Sequence, residues 1–293
     1  MIAVKEKAYA KINLFLDVVS KRGDGFHEIK TVMHTVSLCD EVTVFYTPSD
    51  KTNIRVSVDG NKFLPQDSRN LAYRAAQLYL DKCALTASVD IKLKKRIPVA
   101  AGLAGGSSDA AAVLRAINKA NRRLLTDKAL AELSAQLGSD VPYCLMGKTA
   151  LCEGRGEVMT RLPDVSVGYA VIAIADEFVS TPKAYSALDL VFSDFDGTVT
   201  TGGDTKYPLL KSAIDSGKLD INGLFNVFER AVLPECPKAA SIKVKLSDLG
   251  AKAVMMSGSG PSVFGIFDTL TKAECAKEEL VKDGFCAFVV HSV

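Results

Sequence analysis

The fifteen residues from Pro98 to Ala112, PVAAGLAGGSSDAAA, constrain this chain more than any other stretch. Three glycines (Gly102, Gly105, Gly106) loosen a loop, two serines follow, and an alanine-rich helical pattern begins at once. Glycine has no Cβ, so its backbone can approach a ligand closely. A helix N-terminus offers unpaired N–H groups and a partial positive charge, and together the two make a cradle for a phosphate. Ser107 and Ser108 can cap the helix or turn a hydroxyl toward a phosphate or metal. A plain glycine turn feeding a capped helix uses the same residues, so the loop alone does not choose between the readings. Its G-x-x-G-G-S spacing does exclude two phosphate motifs. No Gly-Lys-Ser/Thr closes it as in a Walker A loop, and it is not the dinucleotide fingerprint.

The chain has 293 residues, enough for one large or two modest domains. Apolar residues make up 48%, ample for a buried core, and 36 basic against 34 acidic residues leave a net charge of only +2. Lys92, Lys94, Lys95 and Arg96 form the one basic cluster, which the solvated face of a strand explains; nucleic-acid binding is not indicated. Seven scattered cysteines, odd in number and without a C-x-x-C pair, favour reduced thiols over a disulfide framework or zinc site. Three histidines are too few for a His-based metal cluster. No apolar run reaches the roughly 18–20 residues a membrane span needs, and no targeting peptide is visible, so a cytoplasmic protein is expected.

Alternation from Ala8 to Val18 predicts a strand with Ala8, Ala10, Ile12, Leu14, Leu16 and Val18 on one face and Tyr9, Lys11, Asn13, Phe15 and Asp17 on the other. Further strands are expected in IKTVMHTVSLCDEVTVFYT, in NIRVSVDG with its Asp-Gly turn, in ASVDIKLKKRI up to Pro98, and in KTALCEGRGE. Helices are expected at about Asn70–Lys82, Ser108–Ala120 and Asp127–Leu137, the last closed by Gly138. After Pro163 a buried strand over Val165–Ala175 precedes helical patterns at Thr181–Leu190, Pro208–Ser216, Leu224–Leu233 and Pro237–Leu249. Two strands flank Ser257–Pro261, and a helix and strand finish the chain. Ser193–Lys206 reads as a surface loop. The mixture in both halves indicates α+β architecture with layered domains and a boundary near Asp164.

Lys11 and Asn13 lie two apart on one strand and so point the same way. Taken alone, an edge-strand lysine reaching solvent is the simpler reading of Lys11. Asp140, just after Gly138 and two before Pro142, could equally cap a short turn. Phosphoryl transfer to a hydroxyl needs a phosphate cradle, Mg²⁺, a carboxylate near the acceptor proton and a cation for developing charge. The loop, Asp140 and Lys11 supply those types, but spacing does not bring them together.

The glycine loop resembles the second motif of the GHMP kinases, the group of galactokinase, homoserine kinase, mevalonate kinase and phosphomevalonate kinase. AKINLFLDVVSKRGDGFHEIKT from Ala10, GSDVPYCL from Gly138, ALCEGRGE from Ala150 and MSGSGPSVFGIF from Met256 extend the likeness from Lys7 to the last strand, weakest between Val191 and Lys206. The Gly-Glu-His run of galactokinase is missing. The resemblance implies an α+β, two-domain GHMP kinase fold, each domain a sheet layered with helices, with the active site in the cleft between 1–164 and 165–293. It is strongest toward the branch that phosphorylates a cytidine diphosphate-linked alcohol on the non-mevalonate route to isoprenoids. A mevalonate- or homoserine-type kinase is the alternative within the group.

Carried over, the resemblance makes Asp140 the general base for the acceptor hydroxyl and Lys11 the cation that offsets charge on the attacking oxygen and holds Asp140 ionised. Pro98, Val99, Ala100, Ala101, Gly102, Leu103, Ala104, Gly105, Gly106, Ser107 and Ser108 would cradle ATP, with Mg²⁺ facing Ser108 or its neighbour. Asn13 would orient the substrate, Phe26 stack on the cytosine, His27 pair with its edge and Tyr185 close the other side of the ring. Apart from the resemblance, His27 is an ordinary loop histidine and Tyr185 a helix residue packed inward. Gly258 and Gly260 would form a third motif near the phosphates. Asn70 and the Lys92–Arg96 strand are the candidates for an adenine pocket. The implied partners are small molecules, ATP and the cytidyl alcohol, with no nucleic acid and no membrane; a homodimer stays open. Three positions depart from the group: Ala104 and Lys148 stand where glycine is common, and Phe26 where tyrosine is usual. An Ala at positive φ costs about 1 kcal/mol.

VFSDFDGTVT, from Val191, imitates the D-x-D-G-T nucleophile motif of haloacid-dehalogenase-type phosphatases, with Asp194 attacking phosphate and Asp196 as acid. A preceding helical pattern, the late position in the chain and the lack of a later acidic pair weigh against it, and an Asp-Gly turn suffices. A binder that keeps a kinase fold without turnover is the third reading.

Overall fold

The computed structural model describes residues 1–192 and 201–293. In chain order these form β1 (Ile2–Lys21), β2 (His27–Pro48), β3 (Asn53–Asp59), α1 (Leu71–Lys82), β4 (Ala87–Lys94), α2 (Gly105–Ala120), α3 (Asp127–Ser134), α4 (Asp140–Met146), β5 (Thr149–Gly154), β6 (Val158–Arg161), β7 (Tyr169–Ile174), α5 (Thr181–Val191), α6 (Gly203–Asp215), β8 (Phe225–Asn226), α7 (Glu229–Val232), α8 (Pro237–Asp248), β9 (Ala253–Met256), β10 (Ser262–Phe267), α9 (Leu270–Lys282) and β11 (Cys286–His291). Packing divides the chain into two compact units, neither contiguous in sequence. The first comprises Met1–Ala10, Leu38–Val99 and Ala104–Gly147, and the second Lys11–Ser37, Ala100–Leu103 and Lys148–Val293. The segment from Lys148 to Asp164 packs with the second unit.

In the first unit β3 runs parallel to β4, and β4 antiparallel to the Glu41–Pro48 part of β2. Alternation in ASVDIKLK turns Ala87, Val89, Ile91 and Leu93 to one buried face. That face joins a core with the alanine-rich surfaces of α1 and α2, where small side chains leave room for Tyr79, Leu80 and Leu114. Asn70 starts α1 by accepting the Ala72 N–H, and Thr126 caps α3 through the Ala129 N–H. In the second unit β11, β7, β10 and β9 form an antiparallel sheet in that order. Its inner residues pack with Ile242 and Leu246 of α8 and Ala276 and Leu280 of α9. The Ile29–His34 part of β2 pairs with β5, which folds back on β6 as a hairpin.

Several expectations are corrected. The second helix begins at Gly105, not Ser108, so neither serine caps it: Ala104 precedes the helix in left-handed conformation with no side-chain cap bond. The Ser108 hydroxyl instead donates back to the Gly105 carbonyl at 3.2 Å. The helix expected from Pro208 starts at Gly203, after left-handed Gly202, and carries Pro208 inside it. Residues 203–206 are therefore helical rather than loop; Ser193 to Thr200 lie outside the described residues. The segment from Leu224 to Leu233 is not one helix. Phe225 and Asn226 pair in parallel with Phe15 and Leu16 of β1, and the Asn226 amide donates to the Met256 and Gly258 carbonyls. The α-helix within that segment is the short α7.

Candidate active site

In the second unit, residues from five places in the sequence meet around Lys11. Its side chain is buried on β1, the residue being 5% exposed, and the ammonium donates to the Asn13 carboxamide oxygen at 2.7 Å and the Gly102 carbonyl at 2.8 Å. The edge-strand reading of Lys11 is thereby excluded. Asn13 passes its own N–H to the Thr31 hydroxyl at 2.8 Å, and Thr31 donates to the Phe15 carbonyl at 2.6 Å. The Lys11 backbone N–H donates to the Leu103 carbonyl at 3.2 Å.

Two glycine segments touch here. A Cβ on Gly102 (φ +73°) would stand 2.3 Å from the Ser257 carbonyl oxygen, so only glycine lets the backbones come this close. A Cβ on Gly258 (φ +59°) would come within 3.2 Å of the Gly102 oxygen and 3.3 Å of the Lys11 Nζ. The Ser257 hydroxyl donates to Gly102 O at 3.2 Å, and that of Ser262 to Ala101 O at 2.5 Å. Asn226 Nδ2 donates to the carbonyls of Met256 at 2.7 Å and Gly258 at 2.9 Å, bracing the second glycine segment. Thr31 and Asn226 escaped the sequence reading. Thr31 carries no local pattern, and a helical pattern over Leu224–Leu233 concealed Asn226.

In the first unit the remaining loop residues lead into α2. Ala104 has φ 57°, and Ala100, at the start of the second unit's piece of the loop, φ 55°. Lys148 is also at positive φ, 67°. Both departures from the group's glycine pattern, Ala104 and Lys148, are thus left-handed positions occupied at a strain cost of roughly 1 kcal/mol each. Because no side chain caps α2, its first-turn N–H groups keep their donor capacity. Pro98 is half-buried and Val99 exposed. Asp140 is half-buried in the first turn of α4, whose preceding residue Ser139 makes no cap bond. It is therefore not a cap.

The basic cluster is not a solvated face throughout. The Lys95 side chain is 4% exposed and pairs with Asp40 and Asp109. Burial pushes the Asp109 carboxyl up to about 7 although Lys95 opposes it, and its Oδ1 has no hydrogen-bond partner. Asn70, an adenine-pocket candidate, is engaged as a helix cap and donates to the Pro65 carbonyl at 2.7 Å.

The residues expected at a base behave differently from one another. Phe26 is 55% exposed, with the Arg155 guanidinium 4.8 Å from its ring centre. His27 is buried, its Nε2 hydrogen-bonded to Asp189 Oδ1 at 2.7 Å, and it stacks on Tyr185 at 4.7 Å between centroids. Tyr185 meets Phe228 edge-on at 4.9 Å. Burial raises the Asp189 carboxyl, but hydrogen bonds from Lys21 and His27 outweigh it and leave it below its ordinary value. Asp194 and Asp196 lie outside the described residues.

The GHMP kinases N terminal domain family matches residues 70–148, and the GHMP kinases C terminal family residues 209–285. The chain is 43% identical over 283 residues to the 4-diphosphocytidyl-2-C-methyl-D-erythritol kinase of Geobacillus thermodenitrificans, covering 96% of this chain and 93% of that one. It is 38% identical over 296 residues to the enzyme of the same name from Clostridium beijerinckii, covering 99% and 100%. A crystal structure of 4-(cytidine 5'-diphospho)-2C-methyl-D-erythritol kinase, 30% identical, superposes with a TM-score of 0.80 over 99% of this chain and all of the other.

Proposed function

We infer the roles of individual residues from the family to which this chain belongs, the 4-diphosphocytidyl-2-C-methyl-D-erythritol kinases of the GHMP group. The protein is a phosphotransferase with an alcohol acceptor. It uses ATP to phosphorylate the 2-hydroxyl of 4-diphosphocytidyl-2-C-methyl-D-erythritol in the methylerythritol phosphate route to isoprenoid precursors. Identity of 38–43% along nearly the whole chain is the observation that carries this reading, and it favours the cytidyl alcohol over the substrates of mevalonate- or homoserine-type kinases. Among the described residues no helix is long and apolar enough to cross a membrane. We place the enzyme in the cytoplasm, acting on small molecules.

Little covalent chemistry falls to the protein in phosphoryl transfer, so positioning and charge dominate. We assign Asp140 as the base that takes the proton of the attacking hydroxyl. Lys11 carries the cation that offsets charge on that oxygen; an amide oxygen and a peptide carbonyl aim its ammonium. Asn13, held by Thr31, orients the alcohol. Pro98 to Ser108 cradle the ATP phosphates, where the uncapped start of α2 supplies N–H donors. Phe26 stacks on cytosine, and His27 with Tyr185 forms the edge and opposite wall of that subsite. By function the chain divides into an N-terminal part, 1–164, with the ATP loop and catalytic residues, and a C-terminal part, 165–293.

Magnesium fits this donor set as a companion of ATP. No group of three His, Cys, Asp or Glu among the described residues could hold a metal alone, so phosphates and water would complete its shell. Ser108 gives its hydroxyl to Gly105, which leaves the half-buried Ser107 as the serine we assign to the ion. Bound there, Mg²⁺ would neutralise phosphate charge.

ADP release coupled to the cytidyl alcohol tests the reading. Turnover with that substrate, lost in Asp140→Ala, is expected. Turnover that survives Asp140→Ala but is lost in Asp194→Ala would transfer the chemistry to a phosphatase-type site, and tight binding without turnover would make the protein a sensor.

A further inference from the structure

Beneath the start of α2 lies a buried charge cluster that the mechanism above does not use. Asp40 Oδ1 accepts the backbone N–H groups of Arg96 at 2.5 Å and Ile97 at 2.8 Å, the last residues before Pro98. Its Oδ2 accepts from Lys95 Nζ, which also donates to Asp109 Oδ2 at 2.5 Å. Asp109 stands in the second turn of α2. A Cβ at Gly105, the first residue of that helix, would lie 3.0 Å from Ile97 Cγ2 and 3.6 Å from Lys95 Nζ. One ammonium therefore links the strand end that enters the glycine loop to the helix that leaves it.

We propose that Asp40, Lys95 and Asp109 form an internal staple that sets the span of the loop, making Lys95 and Asp109 positioning residues for ATP. The inference rests on the loop being the ATP cradle. Two physical points support it. Two carboxylates share one cation away from water, and Asp109 Oδ1 has no partner, so an apolar plug of the same volume would stabilise the fold at least as well. What an apolar plug does not supply is direction: charge-assisted bonds hold the Arg96 and Ile97 amides and the second turn of α2 at fixed distances. A phosphate cradle depends on such spacing, because misplaced donors lose much of their effect on transferred charge.

Steady-state kinetics at a temperature well below unfolding, varying each substrate in turn, test this with three variants of the full chain. Lys95→Met is expected to raise KM for ATP about tenfold while KM for the cytidyl alcohol stays within about twofold. Asp109→Asn keeps the shape and the other ion pair, and is expected to raise KM for ATP about threefold, so the test stands even where Lys95→Met does not fold. Gly102→Ala probes the cradle itself. If Gly102→Ala raises KM for ATP but neither charge variant does, the staple is overturned and the cradle survives. If Gly102→Ala leaves KM for ATP unmoved, the cradle reading fails. Equal changes in both KM values in Lys95→Met and Asp109→Asn would mark a purely structural cluster and also overturn the proposal.

Discussion

Two lysines among the described residues, Lys11 and Lys95, have buried side chains and hydrogen-bond to different kinds of group. Lys11 donates to an amide oxygen and a peptide carbonyl, groups that orient its ammonium. Lys95 sits between two carboxylates that are themselves buried. A cation taken from water is tolerated only with partners, and the partners decide what it can do. We propose that the first arrangement aims an ammonium at a substrate and that the second holds backbone. On that proposal the same residue type serves reaction in one unit and architecture in the other.

Variants that separate chemistry from architecture test this contrast most sharply. The largest expected effect is that of Asp140→Asn, which should lower kcat by roughly 10²–10⁴ with thermal unfolding almost unchanged, as measured by ADP release and calorimetry. Lys11→Met should lower kcat by roughly 10²–10³, where Lys95→Met should act mainly through KM for ATP and a lower Tm. If both lysine variants lose kcat alike at constant KM, the distinction drawn here disappears.

A buried histidine extends the contrast to pH. His34 donates or accepts at Thr149 and Ser292, and burial holds its imidazole at about 4 against an ordinary 6.5. The unfolded chain therefore binds the proton more readily. Stability from the neutral form is complete above pH 6.5 and falls as pH drops toward 4, by about 3 kcal/mol in all. Denaturant titrations across that window should show the loss, and His34→Gln should flatten it; an unchanged slope in the variant would assign the loss elsewhere.

His27→Ala, which breaks the contact with Asp189 and the stack on Tyr185, should raise KM for the cytidyl alcohol by about tenfold and KM for ATP little. Equal changes in both would remove the cytosine assignment. Smallest is Ala104→Gly. Releasing a left-handed alanine should stabilise the fold by about 1 kcal/mol, a rise in Tm of about 2–4 °C by calorimetry.

Much of this protein is written locally. Asn70, Thr126 and Thr269 each start a helix with their own oxygen, and the Asp59-Gly60 turn ends its strand as the two-residue pattern predicts. Ala104 and Lys148 stand out against the glycines of related kinases, and both prove to be left-handed. Such features depend on neighbours a few residues away, so sequence alone determined them, along with membership of the kinase family. Burial of charge and contact between loops were decided only in three dimensions. Lys95 looks like one of several surface lysines until Asp40, 55 positions earlier, and Asp109, 14 later, close around it. Asn226 looks helical until its amide meets the carbonyls of Met256 and Gly258. The physical reason is common to both: desolvation and hydrogen bonding are set by whichever groups the tertiary fold brings within 3 Å or so, and no short-range pattern records them.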